Sequence, residues 1–319
     1  MENKTSKRIL DNWDEYENDT YSLTPPLPET LMIEVTNACN LKCTMCRNPE
    51  MQRKTGRISF ELLEKILVQA KDAGVRNIAL YTTGEPLMHP RIYEIIERVK
   101  AAGFYAYLTT NALLLDEERI QRLLSTGIDS IKYSLDGLNK QEYESIRIQG
   151  DYDKLMEILS LLKNQRDRTA PDVKLLMGVI LAKYNIRDKE KYIQRYGDMV
   201  DEIIFSLISN QAGFISSDNY AEIKPDEIRV STEFKACRQL WDRLVVTYDG
   251  KLVACCIDFE AELEYGDLSR QSLAEAWNSE QMLRLRRAHK ERDLAGYPLC
   301  HGCDSPYIQQ VEVFKQLNE

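Results

Sequence analysis

The chain has 319 residues, a formal net charge of -9 and a hydrophobic fraction of 43%. That length suits one large domain plus a small one, and the acidic balance argues against a nucleic-acid partner, which needs a basic surface. No apolar run approaches the roughly 20 residues of a membrane helix and no secretory signal is visible, so a cytoplasmic protein with no membrane partner is expected. Eight cysteines in that setting favour metal or redox chemistry over disulfides.

Residues 1–30 are polar and close on Thr24-Pro-Pro-Leu-Pro28, an extended lead-in. From Leu31 to about Ser209, short apolar runs alternate with amphipathic helical patterns. The strands are expected at 31–36, 77–82, 104–110, 130–135, 174–181 and 203–208, as in a parallel sheet covered by helices. The segment 60–73 shows the helical logic: Ser59 can cap its start, Gly74 follows its end, and Phe60, Leu63, Ile66, Leu67 and Ala70 share a face. Further helices fit 91–101, 116–125, 152–166 and 188–197. Six βα units predict an α/β fold with a partial (β/α)6 TIM-like barrel over 31–209, whose ligands belong at the C-terminal ends of the strands. Residues 210–236 lack periodicity and read as a linker.

The first strand is followed by Cys39, Cys43 and Cys46, spaced Cys-x3-Cys-x2-Cys. Three thiolates on one loop can hold three irons of a [4Fe-4S] cube and leave the fourth open to a small molecule. A structural zinc site usually takes four ligands, and no fourth is near in sequence. A second group lies in a small C-terminal α+β domain expected at 237–319. Cys237, Cys255, Cys300 and Cys303 are 18, 45 and 3 residues apart, and four thiolates saturate either a zinc ion or a cube. Between them, Leu244–Tyr248 and Lys251–Cys255 flank Asp249-Gly250, a two-residue hairpin signal, and Leu273–His289 reads as one amphipathic helix. Cys256, beside Cys255, is left over.

The stretch Asn37-Ala-Cys39-Asn-Leu-Lys-Cys43-Thr-Met-Cys46 resembles the radical S-adenosylmethionine (SAM) superfamily. The resemblance implies a SAM-binding [4Fe-4S] cluster on Cys39, Cys43 and Cys46, and cleavage of SAM to methionine and a 5′-deoxyadenosyl radical. It places Met45 near the adenine. Thr83-Gly84-Glu85-Pro86 looks like the family's Gly-Gly-Glu-Pro, which binds the SAM amino group; Thr83 departs from the first Gly. Ser134-Leu-Asp136-Gly137 with downstream Arg147 resembles the family's Ser-x-Asp-Gly and Arg. Ser134 would reach the ribose or methionine part, and Arg147 the carboxylate, which its planar fork suits. Asp136 would contact SAM, or instead orient Arg147 or the loop. Thr109, Thr110 and Asn111 could approach SAM or substrate, and Gly178-Val179-Ile180 would supply apolar adenine contacts, with Val179 the residue at its centre.

From Trp241 to Cys256, and again at Gly266-Asp-Leu268, Glu275-Ala-Trp277-Asn278 and the final Cys-x2-Cys, the chain is similar to SPASM/twitch auxiliary-cluster domains. A full SPASM domain carries a second auxiliary cluster, for which too few thiols remain, so the shorter twitch form is implied. Its single auxiliary [4Fe-4S] cluster would sit on Cys237, Cys255, Cys300 and Cys303. Cys256 would then be free to give a hydrogen atom to a substrate radical. The expected activity is epimerisation of a small polar substrate (sugar, cyclitol or aminoglycoside-like). Alternatives are dehydrogenation of an alcohol through the auxiliary cluster, peptide modification, and a non-catalytic iron–sulfur electron carrier. The reaction type implies an electron donor such as flavodoxin or ferredoxin. Glu34, Asn37, Tyr81, Tyr107 and Tyr133 are candidate cavity residues.

Overall fold

The computed structural model describes residues 21–215 and 236–305 and the backbone of 311–315. Most of the expected linker, 216–235, and most of the N-terminal extension lie outside the described residues. The strands expected from sequence form as β1 (Thr30–Ile33), β2 (Asn77–Ala79), β3 (Tyr105–Thr110), β4 (Ser130–Ser134), β5 (Lys174–Leu181) and β6 (Glu202–Leu207). Between them run α1 (Phe60–Asp72), α2 (Ile92–Ala101), α3 (Glu117–Ser125), α4 (Lys140–Ile146), α5 (Tyr152–Thr169) and α6 (Lys189–Tyr196). Consecutive strands β1 to β6 pair in parallel, as the helical crossovers require. This is the TIM-like α/β arrangement expected.

Helix α1 illustrates the local cause. Ser59 Oγ accepts the Leu62 N–H at 3.1 Å, satisfying one orphan donor of the first turn. Leu63, Ile66, Leu67 and Ala70 are buried against the sheet, and each large side chain among them contributes roughly 1.5–3 kcal/mol. Gly74, at φ +78°, takes the left-handed position that ends the helix. Helix α4 was not expected. It is short, and Asn139 caps it through the Glu142 N–H at 3.0 Å.

The C-terminal region joins the barrel sheet instead of forming a sheet of its own. Strand β7 (Arg243–Val246) pairs in parallel with β1, Thr30 opposite Arg243 and Ile33 opposite Val246. Strands β8 (Lys251–Val253) and β9 (Glu264–Asp267) follow as an antiparallel meander. At the other edge β10 (Val311–Lys315) pairs antiparallel with β6. The ten-stranded order is β9-β8-β7-β1-β2-β3-β4-β5-β6-β10. The β7–β8 hairpin differs from the expected two-residue turn. Thr247 pairs with Lys251 (N to O, 2.9 Å), leaving the three-residue loop 248–250 with Gly250 at φ +90°, the three-residue hairpin with a left-handed Gly.

Helices α7 (Gln239–Asp242), α8 (Leu273–Trp277), α9 (Glu280–Glu291) and α10 (Pro298–His301) complete the region. The single helix expected over Leu273–His289 is therefore two. Ser279 is extended, and its Oγ accepts the Met282 N–H at 3.3 Å, so a new N-terminus starts there. Arg286 is fully buried. It donates to the carbonyls of Leu240 (3.0 Å), Leu23 (3.0 Å) and Trp277 (2.9 Å) and stacks over the Trp277 ring at 4.0 Å.

Two layers of side chains divide the sheet. Met32, Ala79, Tyr107, Leu176, Ile204, Val245 and Val253 pack together on the inner face. The alternate positions pack beneath the helices in the main core.

Candidate active site

The three-cysteine loop leaves the C-terminal end of β1. Its turn is closed by Cys46 N–H to Cys43 C=O at 3.1 Å, and Asn48 N–H reaches Cys46 Sγ at 3.4 Å. Cys43 also pairs with Arg147 in a two-residue antiparallel ladder, which ties the loop to the segment after α4. Burial pushes the Cys39 thiol up to about 11, with the charges of Glu85, Cys43 and Cys46 adding to it. Thiols so placed ionise together only beside a cation, so this donor set fits a metal cluster. A cleft of about 380 Å³ opens beside Cys43 and Cys46, lined also by Lys42, Arg47 and Phe214.

The end of β2 is locked to this loop by its glycine. A Cβ on Gly84 would stand 2.4 Å from the Thr36 carbonyl oxygen and 2.6 Å from that of Ala38, so no other residue fits. Thr83 has room for its side chain and donates its hydroxyl to Glu34. The Glu85 N–H bonds the Ala38 carbonyl at 2.8 Å. Its buried carboxylate accepts from Leu87 N–H (3.0 Å), Thr110 Oγ1 (2.7 Å) and Asn111 N–H (2.7 Å). Three of its roughly four acceptor sites are thus used, leaving one open. Pro86 begins the short 3-10 turn Pro86–Met88 that Glu85 caps. Asn111 Nδ2 donates to Asn40 Oδ1 at 2.8 Å, inside the cysteine loop.

Asp136, fully buried, receives Arg147 Nε at 2.8 Å and the Ile180 N–H at 2.6 Å. Of the roles expected for Asp136, the observed contact is with Arg147, whose Nη1 lies 3.6 Å from Cys43 Sγ. Gly137 must be glycine, since a Cβ would meet the Tyr143 backbone nitrogen at 2.5 Å. Ser134 is half-buried at the end of β4, opposite Gly178 of β5. Met45 packs with Ile146, Ala182, Ile208 and Ile180. Val179 corrects an expectation: it lies in the main core under the helices. Side chains alternate along β5, so Ile180 is the residue that faces Met45 and the loop. Tyr133 likewise points into the helix-facing core, whereas Tyr81 and Tyr107 belong to the inner layer.

Cys237, Cys255, Cys300 and Cys303 line one cavity, and Cys256 is not among its walls. Burial, then the charges of Cys303 and Cys300, push Cys237 up; burial and Cys303 push Cys300 up to about 12. Among the described residues no three Cys, His, Asp or Glu side chains converge on a single metal ion. A tetrahedral zinc at ~2.3 Å would draw its thiolates to within about 4 Å of each other. Four thiolates around one cavity suit either that ion or a [4Fe-4S] cube.

Cys256 turns the other way. It packs against the inner layer, as Tyr81 and Tyr105 also do, and its Sγ donates to Gln239 Oε1 at 3.3 Å. The same Oε1 receives the Cys256 N–H at 3.3 Å, and Gln239 itself lines the four-cysteine cavity. Because β8 runs against β7 and β1, the chain enters the barrel here from the end opposite the three-cysteine loop. Sequence reasoning missed Gln239, whose role rests on a tertiary contact with no local signal. It also missed the bracing role of Glu34. That carboxylate, 2% exposed, binds Arg53 Nη2 at 2.6 Å and the Tyr248 N–H at 3.2 Å. Asn37 is likewise a brace, holding Gly56 N–H at 2.8 Å and Lys54 C=O at 3.0 Å.

Comparison with known proteins adds a family. The model of the radical SAM superfamily matches residues 33–194, and that of an iron–sulfur cluster-binding domain, SPASM, matches 237–304. The tungsten-containing aldehyde ferredoxin oxidoreductase cofactor-modifying protein of Pyrococcus furiosus is 24% identical over 317 residues, 86% of each chain. A PqqA peptide cyclase of Granulibacter bethesdensis is 24% identical over 310 residues, 87% of this chain and 80% of the relative. The GTP 3′,8-cyclase of Chlorobaculum tepidum is 33% identical over 132 residues, 41% of this chain and 39% of the cyclase. Among solved structures, BtrN in complex with AdoMet and 2-DOIA has a TM-score of 0.62 at 20% identity, covering 90% and 96% of the two chains. Streptococcus suis SuiB bound to precursor peptide SuiA has a TM-score of 0.64 at 17% identity, covering 89% and 71%.

Proposed function

The chain belongs to the radical SAM superfamily, and on that premise we propose that it inverts a carbon centre of a small polar substrate, with Cys256 as the hydrogen donor. It is a radical SAM enzyme that carries [4Fe-4S] clusters and uses SAM. We assign Cys39, Cys43 and Cys46 to the SAM-binding cluster and Cys237, Cys255, Cys300 and Cys303 to the auxiliary one. When bound, the first cluster and SAM supply a 5′-deoxyadenosyl radical that takes a substrate hydrogen.

This chain's residues then do three things. Gly84, Glu85 and Asn111 hold the floor of the SAM site, with one Glu85 acceptor left for the ammonium. Met45 and Ile180 form an apolar wall beside it. The Cys256 S–H gives its hydrogen atom to the substrate carbon from the barrel's far end. The thiyl sulfur that remains regains one electron and one proton, the electron coming from a low-potential protein of the flavodoxin or ferredoxin class. A hydrogen removed on one side and returned on the other inverts the centre. The observation that carries this reading is the direction of Cys256: outside the four-cysteine cavity, inside the barrel.

The test is Cys256→Ser against wild type on a panel of sugars, cyclitols and aminoglycosides, with sugar acids and sugar phosphates included. The variant should still release 5′-deoxyadenosine but yield no inverted product. Full inversion by the variant would sink the proposal.

A second reading is alcohol dehydrogenation. Gln239 spans from the barrel interior to the four-cysteine cavity, so a substrate radical formed there would be near an electron acceptor. Product mass separates the two: loss of two hydrogens means oxidation, an unchanged mass means inversion. Peptide modification is a third reading, supported by the likeness to PqqA peptide cyclases and to SuiB with its precursor peptide.

A further inference from the structure

Among the described residues, the inner face of the barrel carries a cation with no anion paired to it. Lys132 lies mid-strand on β4, half-buried, at the inward position between Ser130 and Ser134. Its chain lies across Gly178 of β5, with Cδ 3.6 Å from where a Cβ on that glycine would stand. Its Nζ is 5.3 Å from the centre of the Tyr81 ring. Tyr81 packs in the same layer as Tyr107 and Cys256. No carboxylate or hydrogen-bond acceptor is paired with this ammonium among the described residues. The inward-facing Glu202 and Arg243 stand at the N-terminal end of the strands and have partners of their own.

The ring offers this half-buried ammonium a cation–π attraction only, and a bound anion would add the full counter-charge that the ring lacks. Gly178 lets the Lys132 chain lie along β5, in ordinary contact with where a Cβ would stand. We infer that the substrate carries an anionic group, a carboxylate or a phosphate, which pairs with Lys132 and sets the reacting carbon against Cys256. The inference rests on reading the barrel interior as the substrate cavity, and not on the reaction proposed there.

Cys256 is the reporter. The cluster-loaded full chain is treated anaerobically with iodoacetate, which is anionic, or iodoacetamide, which is neutral, and modification of Cys256 is read by peptide mass spectrometry. The ratio of the two rates cancels any change in thiol acidity. It should fall about fivefold or more in Lys132→Gln and recover in Lys132→Arg, with iron content unchanged in both. In wild type, protection of Cys256 by glucuronate but not glucose assigns a carboxylate; protection by glucose 6-phosphate instead assigns a phosphate. A ratio equal in wild type and Lys132→Gln overturns the inference alone. No reaction of Cys256 with either reagent in wild type would overturn the cavity reading and the inference with it.

Discussion

Gly84 sits where the cysteine loop and the end of β2 come closest, with no space for a side chain. In Thr83-Gly84-Glu85-Pro86 the first position admits Thr because its hydroxyl has a partner in Glu34. The second admits nothing beyond hydrogen, because two carbonyl oxygens of the cysteine loop stand where a Cβ would be. Gly84→Ala should therefore push that loop away and lower iron from about eight to about four per chain, with the C-terminal cavity still loaded; unchanged iron would show that the loop can yield. His89 gives a pH prediction. It is buried, Nδ1 accepts the Arg91 N–H at 3.1 Å, and Nε2 faces the Ile58 carbonyl at 3.3 Å, so the ring is neutral. Burial lowers its folded-state pKa below 6.5. The folded chain then binds fewer protons than the unfolded one, and the stability it contributes is full above 6.5 and lost as pH falls through the folded value. Tm measured from pH 7.5 to 5.5 should drop less steeply in His89→Gln than in wild type.

At the scale of elements, the βα alternation was legible because period 2 and period 3.6 are local properties. What was not legible is tertiary in origin. Both faces of a covered parallel strand are apolar, so nothing in Gly178-Val179-Ile180 says which side faces the site; the structure turns Val179 to the helices and Ile180 to Met45. The helical period runs unbroken through Asn278 and Ser279, so the break between α8 and α9 is hidden until Ser279 is seen to cap. Helix α4 matters because it delivers Arg147 to Asp136 and to the Cys43 strand. Breaking a buried pair leaves an uncompensated charge, so Asp136→Met should cost about 3 kcal/mol or more by thermal or denaturant melting. The double variant Asp136→Met with Arg147→Met should recover much of it. Equal losses in single and double variants would mean that the pair contributes only packing.

On the scale of the whole molecule, the surprise is the parallel pairing of β7 with β1. The motifs of the C-terminal region were readable, but no local feature of Leu244–Tyr248 reveals that its partner is the first barrel strand. The lead-in adds to this union. Trp241 Nε1 bonds the Ser22 carbonyl at 2.6 Å, and Trp277 Nε1 the Pro25 carbonyl at 3.1 Å. A sheet shared across both regions should unfold as one unit. Tryptophan fluorescence, weighted to Trp241 and Trp277, and far-UV circular dichroism, weighted to the barrel, should report one Tm; two separate transitions would mean independent domains.

The continuous sheet also brings Cys256 into the barrel while its neighbour Cys255 stays with the other three cysteines, and the proposed chemistry depends on that division. Anaerobic iron content of Cys256→Ala beside wild type tests it most directly. About eight irons in both would leave Cys256 free to act as donor, as the account predicts. About eight in wild type and about four in the variant would make Cys256 a cluster ligand and contradict it.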